Sequence, residues 1–484
     1  MSDSANAGPS PEEQASKTDD PPPGTVEGPG GDEGSVPPAE TEEEHPETEP
    51  PPSNEQSTEP HVDKAGPSVG TSDTQSDLQQ DSSPQQGGAA DQEQGGATTP
   101  EQGGATPGKG TPPTTEQSQT TPTTEQATPP PPQHVFRDNW SQLSRDKLVD
   151  KVKGVIYGQA IGDALGLATE FMNKTEAAHY YGKEGPSHYS QIIHDFHRSR
   201  WVQGDWTDDT DQLLLILQMI VERGGTVDSC AFAKKMDNWR KRGFKELGDY
   251  GGMGIGMTVS NTLSHHSFLT DPHQAAHEVW EKSGRYLAAN GAIMRTAILG
   301  VLEFNRLERV MENTREICLT THADPRCLAS CVAVTTAIAL MLQGKYNPHQ
   351  PKELEQLVTD ALTFGQEKLI HKDQKKEFEK HVRAKKLKDL DLENAHTMGY
   401  TFKAAGAGFF GLRTASDFLP TLRKVIAEAG DADSNGAVCG ALMGCKFGYS
   451  GLPEGLLAFQ HRAWLDTQVD NFLTTIGLKD LKEQ

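Results

Sequence analysis

The sequence predicts an all-α domain behind a long tail that has no means of forming a core. Three observations carry that reading. Apolar residues recur at i, i+3 and i+4 in segment after segment from about residue 143. Strand-like alternation is scarce, and residues 1–134 contain no Phe, Trp, Tyr, Ile or Cys.

The tail is built from Pro, Gly, Thr, Gln, Ser and Glu, so it has too little apolar surface to offset the entropy of ordering its backbone and is expected to be disordered. It holds 25 Asp and Glu against three Lys, whereas the remaining 350 residues are balanced at 44 acids to 42 bases. Of the net charge of −24, the tail therefore carries −22. A balanced domain argues against a nucleic-acid groove, which needs a basic surface to release counterions. "EQGGATTP" followed by "EQGGATPG" is low-complexity repetition, suited to a spacer or solubilising arm. "GGATPGKG" at 103–110 approaches a phosphate loop, but Gly110 stands where a Ser or Thr should hold magnesium and no strand precedes it.

The domain is placed at 143–478. Its helices are expected over 147–168, 208–222, 228–242, 272–282, 307–320, 326–342, 351–370, 374–388, 394–412, 436–447 and 464–476, each from its 3.6-residue apolar spacing. "LASCVAVTTAIALML" at 328–342 falls short of the roughly 18–20 residues of a membrane span, so it is expected as a buried core helix with no membrane partner. Six cysteines in a domain of this size, with no secretory apolar stretch after Met1, predict reduced thiols and a cytoplasmic protein. "RAKKLKDL" at 383–390 spells a weak nuclear address, against which a solvated helix face is the better reading. Nothing in the sequence demands an oligomer, and a monomer is expected.

Two helices carry a glycine at every fourth position, Gly154, Gly158, Gly162 and Gly166 in one and Gly436, Gly440, Gly444 and Gly448 in the other. Each interior glycine costs about 0.8–1 kcal/mol relative to alanine, so four sacrifice roughly 3–4 kcal/mol of helix propensity. Close approach of two backbones, with the dispersion contacts it brings, would offset that loss.

"GDWTDDTDQLLLILQMI" at 204–220 crowds Asp208, Asp209 and Asp211 at the mouth of an apolar helix. Helix capping explains one or two such residues. Three carboxylates within four positions repel one another, and no Lys or Arg lies between Arg200 and Arg223, so a cation is the simplest compensation. "GDADSNGAVCGALMG" at 430–444 repeats the pattern with Asp431, Asp433 and Ser434. An EF-hand would need a bidentate Glu where Leu442 stands. Carboxylates and hydroxyls without nearby Cys or His make the ligand set of a hard cation such as Mg²⁺ or Mn²⁺.

These segments resemble the ADP-ribosylhydrolases, also called the ADP-ribosylglycohydrolase or dinitrogenase-reductase-activating glycohydrolase family, over roughly 148–476. The motifs follow the family's order: "GVIYGQAIGDALGLATEF" at 154–171, "GDWTDDTDQ" at 204–212, "YGGMGIGMT" at 250–258, "NGAIMR" at 290–295, "THADPR" at 321–326 and the 430–444 segment. The resemblance implies a compact orthogonal multi-helix fold with two Mg²⁺ (or Mn²⁺) per chain. Thr207, Asp208, Asp209, Asp431, Asp433 and Ser434 would be the metal ligands, with Ser434 departing from the family's usual threonine. Glu170 and Asp209 would serve catalysis, Glu170 as ligand or general base. Gly252, Gly254 and Gly256 would offer free N–H groups to a diphosphate, and Asn290, Gly291, Arg295 and His322 would line the ADP-ribose site, Arg295 having the alternative of a structural ion pair.

The expected reaction is hydrolysis of the bond between ADP-ribose and an acceptor, on a modified protein or small molecule, with arginine linkage slightly favoured. The rival reading is a non-catalytic member of the same fold, either a crystallin-like structural protein or an ADP-ribose-binding module. Intact carboxylates argue against the rival, because unpaired buried charges are costly to keep.

Overall fold

The computed structural model describes residues 135–480; the tail expected to be disordered, 1–134, lies outside the described residues. Fourteen α-helices form the described region. They are α1 (Arg145–Gly166), α2 (Lys174–Tyr181), α3 (Asp208–Glu222), α4 (Ser229–Arg242), α5 (Met257–Leu263), α6 (Pro272–Lys282) and α7 (Leu307–Cys318). There follow α8 (Pro325–Gln343), α9 (Pro351–Gln366), α10 (Lys372–Val382), α11 (Thr401–Thr414), α12 (Phe418–Ile426), α13 (Ala432–Phe447) and α14 (Arg462–Thr475). Among the described residues there is no strand, only an isolated antiparallel bridge between Ala289 and Tyr400. The chain is all-α.

At its centre the two glycine-striped helices run antiparallel with their backbones in contact. A Cβ added at Gly154, Gly158 or Gly162 would lie 2.1, 2.4 or 1.9 Å from the carbonyl oxygen of Gly444, Gly440 or Gly436, and the reverse additions are as tight. No side chain fits between these helices, and the resulting contact offsets the lost helix propensity. Gly448 keeps its backbone against Gly154, where an added Cβ would lie 2.9 Å from the Gly448 carbonyl carbon, but it stands outside the helix. It ends α13 at φ +79°, and its neighbour is the Asp150 carboxylate, so Ala432 completes the contact by facing Gly166. The functional consequence lies at the end of the pair, where the last turn of α1 meets the first turn of α13.

α8 is long and apolar enough to cross a membrane by length and composition, yet it is mostly buried, with Cys327, Cys331, Val334, Ile338 and Leu342 in the core. All six cysteines are unpaired. Packing begins earlier than the expected boundary at 143: Phe136 is buried and its N–H donates to the Ile476 carbonyl at 2.8 Å.

Several helix boundaries differ from the expected ones. The helix expected over 394–412 begins at Thr401, because Asn290 N–H donates to Gly399 O and Thr401 N–H to Ala288 O, drawing this stretch into extended pairing with 288–290. The helix expected over 374–388 ends at Val382, and 351–370 ends at Gln366. Three short helices escaped the periodicity. α2 buries only Ala177, α5 has seven residues, and α12 carries Pro420 in its first turn, where a missing N–H forfeits no helical bond.

Candidate active site

α3 begins where α1 ends, and Asp163 joins them. Its Oδ1 accepts from the Thr207 backbone N–H at 3.0 Å and the Thr207 hydroxyl at 2.8 Å, while Oδ2 accepts from Thr210 N–H at 2.9 Å. Thr210 N–H, in the first turn of α3 with no helical partner, is thereby satisfied from another helix, while the N-cap Thr207 hydroxyl accepts from Asp209 N–H at 3.4 Å. This frees the helix's own aspartates for other work. Asp211 is used structurally, accepting from the indole N–H of Trp206 at 2.8 Å and of Trp239 at 2.9 Å. Asp208 and Asp209 instead line a cavity of about 520 Å³ together with Glu170, Asp431, Asp433 and Ser434.

Each carboxylate has its own support. Gln212, one turn on, donates to Asp208 at 2.7 Å. Asn290 donates to Asp431 at 2.9 Å. Asp433 accepts from Ser434 N–H at 2.8 Å, and its Oδ2 lies 3.3 Å from the Thr207 hydroxyl whose proton goes to Asp163, so Thr207, which does not line the cavity, sits between the α1 and α13 ends of the cluster. Glu170 lies 2.6 Å from His197 Nε2, and the Arg198 guanidinium braces the chain there by donating to the Ala168 and Glu170 carbonyls.

The electrostatics are those of anions gathered without a counter-charge. Burial, followed by repulsion from their neighbours, pushes Asp208, Asp209 and Asp433 well above the usual carboxylate range. Burial also raises Glu170, against the pull of His197, and lifts Asp163 to about 6 despite its hydrogen bonds from Thr210 and Thr207. Among the described residues no Lys or Arg forms an ion pair with Asp208, Asp209, Asp431 or Asp433. Asp209 Oδ1 is buried with no hydrogen-bond partner.

Oxygen donors with an orphaned carboxylate oxygen fit a hard divalent cation in chemistry. Among the described residues, no three His, Cys, Asp or Glu side chains stand assembled in the geometry of a metal site.

The opposite wall comes from the glycine-rich loop and the 286–294 and 396–400 segments. Gly254 (φ +87°) passes so near Asp208 that a Cβ would lie 2.2 Å from Oδ1; Gly254 and Gly256 both line the cavity. Gly252 does not. Its N–H is taken by the Trp239 carbonyl at 2.9 Å and it packs against the Trp239 indole, so it has no free donor for a diphosphate. Asn290, Gly291 and His322 line the cavity. His322 Nδ1 is 2.8 Å from the Thr321 hydroxyl, and burial, then the Arg295 charge, lowers the imidazole to about 3, leaving it neutral.

Arg295 is fully buried and does not line the cavity. It is not an ion pair either: its guanidinium donates to Gln212 at 2.8 Å and Thr321 at 2.6 Å, between the amide that holds Asp208 and the hydroxyl that holds His322.

The ADP-ribosylglycohydrolase family model matches residues 144–481. The chain belongs to the ADP-ribosylglycohydrolase family. Among its relatives, a protein of Archaeoglobus fulgidus is 26% identical over 61% of this chain and 88% of its own length. ADP-ribosylarginine hydrolase Tri1 of Serratia proteamaculans is 23% identical over 68% of this chain and 77% of its own. ADP-ribosyl-[dinitrogen reductase] glycohydrolase of Rhodospirillum rubrum is 23% identical over 68% and 97%. A solved structure described as an ADP-ribosylglycohydrolase-related protein complex superposes with a TM-score of 0.51 at 22% identity, covering 69% of this chain and 99% of that one, a likeness of fold.

Within this ADP-ribosylglycohydrolase domain, sequence reasoning missed Asp163, His197 and Gln212. Gln212 was within reach, since i+4 from Asp208 places it on the same helix face. Asp163 lay inside a quoted motif with no local sign of its partners, and His197 sits in a stretch with no helical period.

Proposed function

We propose that this chain is an ADP-ribosyl-acceptor glycohydrolase, hydrolysing the bond between ADP-ribose and an acceptor. The observation that carries the proposal is the convergence of Glu170, Asp208, Asp209, Asp431 and Asp433 on one cavity, in a chain whose family model spans 144–481. An acceptor linked through arginine is the favoured substrate, in keeping with relatives named ADP-ribosylarginine hydrolase.

Thr207, Asp208, Asp209, Asp431, Asp433 and Ser434 would hold two Mg²⁺ or Mn²⁺ ions. When bound, such ions supply Lewis acidity toward water and sugar hydroxyls and neutralise the cluster. Glu170, whose proton affinity burial has raised, accepts the proton of the attacking water as the anomeric carbon loses its acceptor. His197 holds Glu170 at 2.6 Å and so fixes the direction from which it takes that proton. Asn290 orients Asp431, and the Arg295–Gln212 pair orients Asp208. Neutral His322 lines the cavity as an uncharged group whose buried Nε2 has no hydrogen-bond partner.

The test is Glu170→Gln assayed on ADP-ribosyl-arginine. Loss of about 10²–10⁴ in kcat with ADP-ribose binding retained in calorimetry supports the role. Full turnover removes Glu170 from the reaction, and ADP-ribose binding without turnover by the unaltered chain on any linkage would favour a binding module.

A further inference from the structure

Away from the acidic cavity, a second concavity of about 560 Å³ is lined by lysines from three parts of the fold: Lys174 and Lys183 around α2, Lys386 and Lys388 before α11, and Lys424 in α12. The facing carboxylate, Glu428, is already taken by Lys174 at 2.7 Å. Among the described residues Lys183, Lys386, Lys388 and Lys424 have no carboxylate within ion-pairing distance, and all four are exposed. In a domain whose charges otherwise nearly balance, this is a local basic excess.

Its position relates it to the reaction. Glu170 and Lys174 are four residues apart, as Glu428 and Asp431 are three, and the two segments are tied by Phe171 N–H to Gly430 O at 2.7 Å and Gly430 N–H to Met172 O at 3.0 Å. Residues of this pair line both concavities: Glu170, Phe171 and Asp431 the acidic cavity, Lys174 and Glu428 the lysine one. Four residues of extended chain reach at most about 14 Å, which bounds the backbone separation of Glu170, at the acidic cavity, from Lys174, at the lysine concavity.

We propose that the lysine concavity binds acidic residues flanking the modified side chain of a protein acceptor. The proposal rests on the glycohydrolase reading for its role in turnover. Lysines, point charges on flexible stems, suit carboxylates without imposing a bidentate geometry. No aromatic side chain lines the concavity, so there is no platform on which a nucleobase would stack, which favours an acidic peptide over single-stranded nucleic acid.

The deciding experiment is fluorescence anisotropy of the full chain with a labelled hexaglutamate peptide at low salt, using Lys386→Glu/Lys388→Glu beside a control of equal charge, Lys372→Glu/Lys376→Glu. At least tenfold weaker binding confined to the first variant is expected. Equal weakening in both, no binding by the unaltered chain, or displacement by an oligothymidylate tighter than hexaglutamate's own binding would overturn the proposal. In turnover, acidic flanks on an ADP-ribosylated peptide should lower KM several-fold with kcat unchanged, and Lys386→Glu/Lys388→Glu should abolish that advantage while sparing free ADP-ribosyl-arginine. If free ADP-ribosyl-arginine and all other linkages resist cleavage, the glycohydrolase reading fails, while the anisotropy result still decides the lysine site.

Discussion

Asp163 holds Thr207 twice, accepting from its backbone N–H at 3.0 Å and from its hydroxyl at 2.8 Å. One carboxylate on α1 thus holds the N-cap residue and shares with its hydroxyl the capping that the sequence would assign to the aspartates of α3 themselves. Asp163→Ala should leave the Thr207 and Thr210 N–H groups buried and unsatisfied, at about 1–3 kcal/mol. Chemical denaturation measures that loss. Because the same residue positions the first turn of α3, activity should fall together with stability; a variant as stable as the parent would contradict the arrangement.

The α1–α13 contact yields a sharper expectation. Gly158→Ala gains about 1 kcal/mol of helix propensity. It also places a methyl 2.4 Å from the Gly440 carbonyl, which requires the helices to part. Overpacking of this kind typically costs about 1–3 kcal/mol, and the helix ends here carry the site. Net destabilisation in thermal unfolding, with weakened ADP-ribose binding, is expected. A rise in Tm would show that the backbones are not in contact.

In chelated protein, Asp209→Asn should stabilise. Burial raises the folded-state affinity of Asp209 for a proton above its ordinary 3.8, so the folded protein binds more protons than the unfolded one above that pH. Stability therefore falls as pH rises from about 4 through the raised value, and the asparagine variant loses this part of the slope. Every tenfold rise in proton affinity on folding corresponds to about 1.4 kcal/mol. Unfolding with EDTA across pH 4–8 makes the comparison, and added Mg²⁺ should raise the Tm of the parent but not of the variant.

Lys446 offers the opposite sign. Its ammonium is buried and donates to the Leu412 and Ala415 carbonyls at 3.0 and 2.8 Å, and burial lowers it from 10.5 to about 8. The penalty for burying the charge is complete below about pH 8 and fades as pH rises towards 10.5. Relative to Lys446→Met, the parent should gain stability across that window, on the order of 3 kcal/mol before screening by solvent. Parallel pH profiles would refute it.

How much of this was legible in the sequence follows from where the determining forces act. The glycine stripes and the two acidic clusters are local patterns that carry a physical cost, and each points to a partner elsewhere in the chain. Which element serves as partner is not local. Nothing near Asp211 announces that two indoles will claim it, and nothing near Arg295 announces complete burial behind the cavity wall. Gly252 and Gly254 share one motif, yet the first turns its N–H to the Trp239 carbonyl while the second borders the cavity. The shortened start of α11 has the same origin, since pairing with 288–290 overrides a helical pattern.

The measurement that bears most directly on the glycohydrolase reading is release of free ADP-ribose from arginine-, serine- and O-acetyl-linked substrates in Mg²⁺, with Asp208→Ala and Asp433→Ala alongside. The account expects release from the arginine-linked substrate that EDTA abolishes and that neither variant supports. Undiminished release by both variants would contradict it, as would no release by the parent from any of the three linkages.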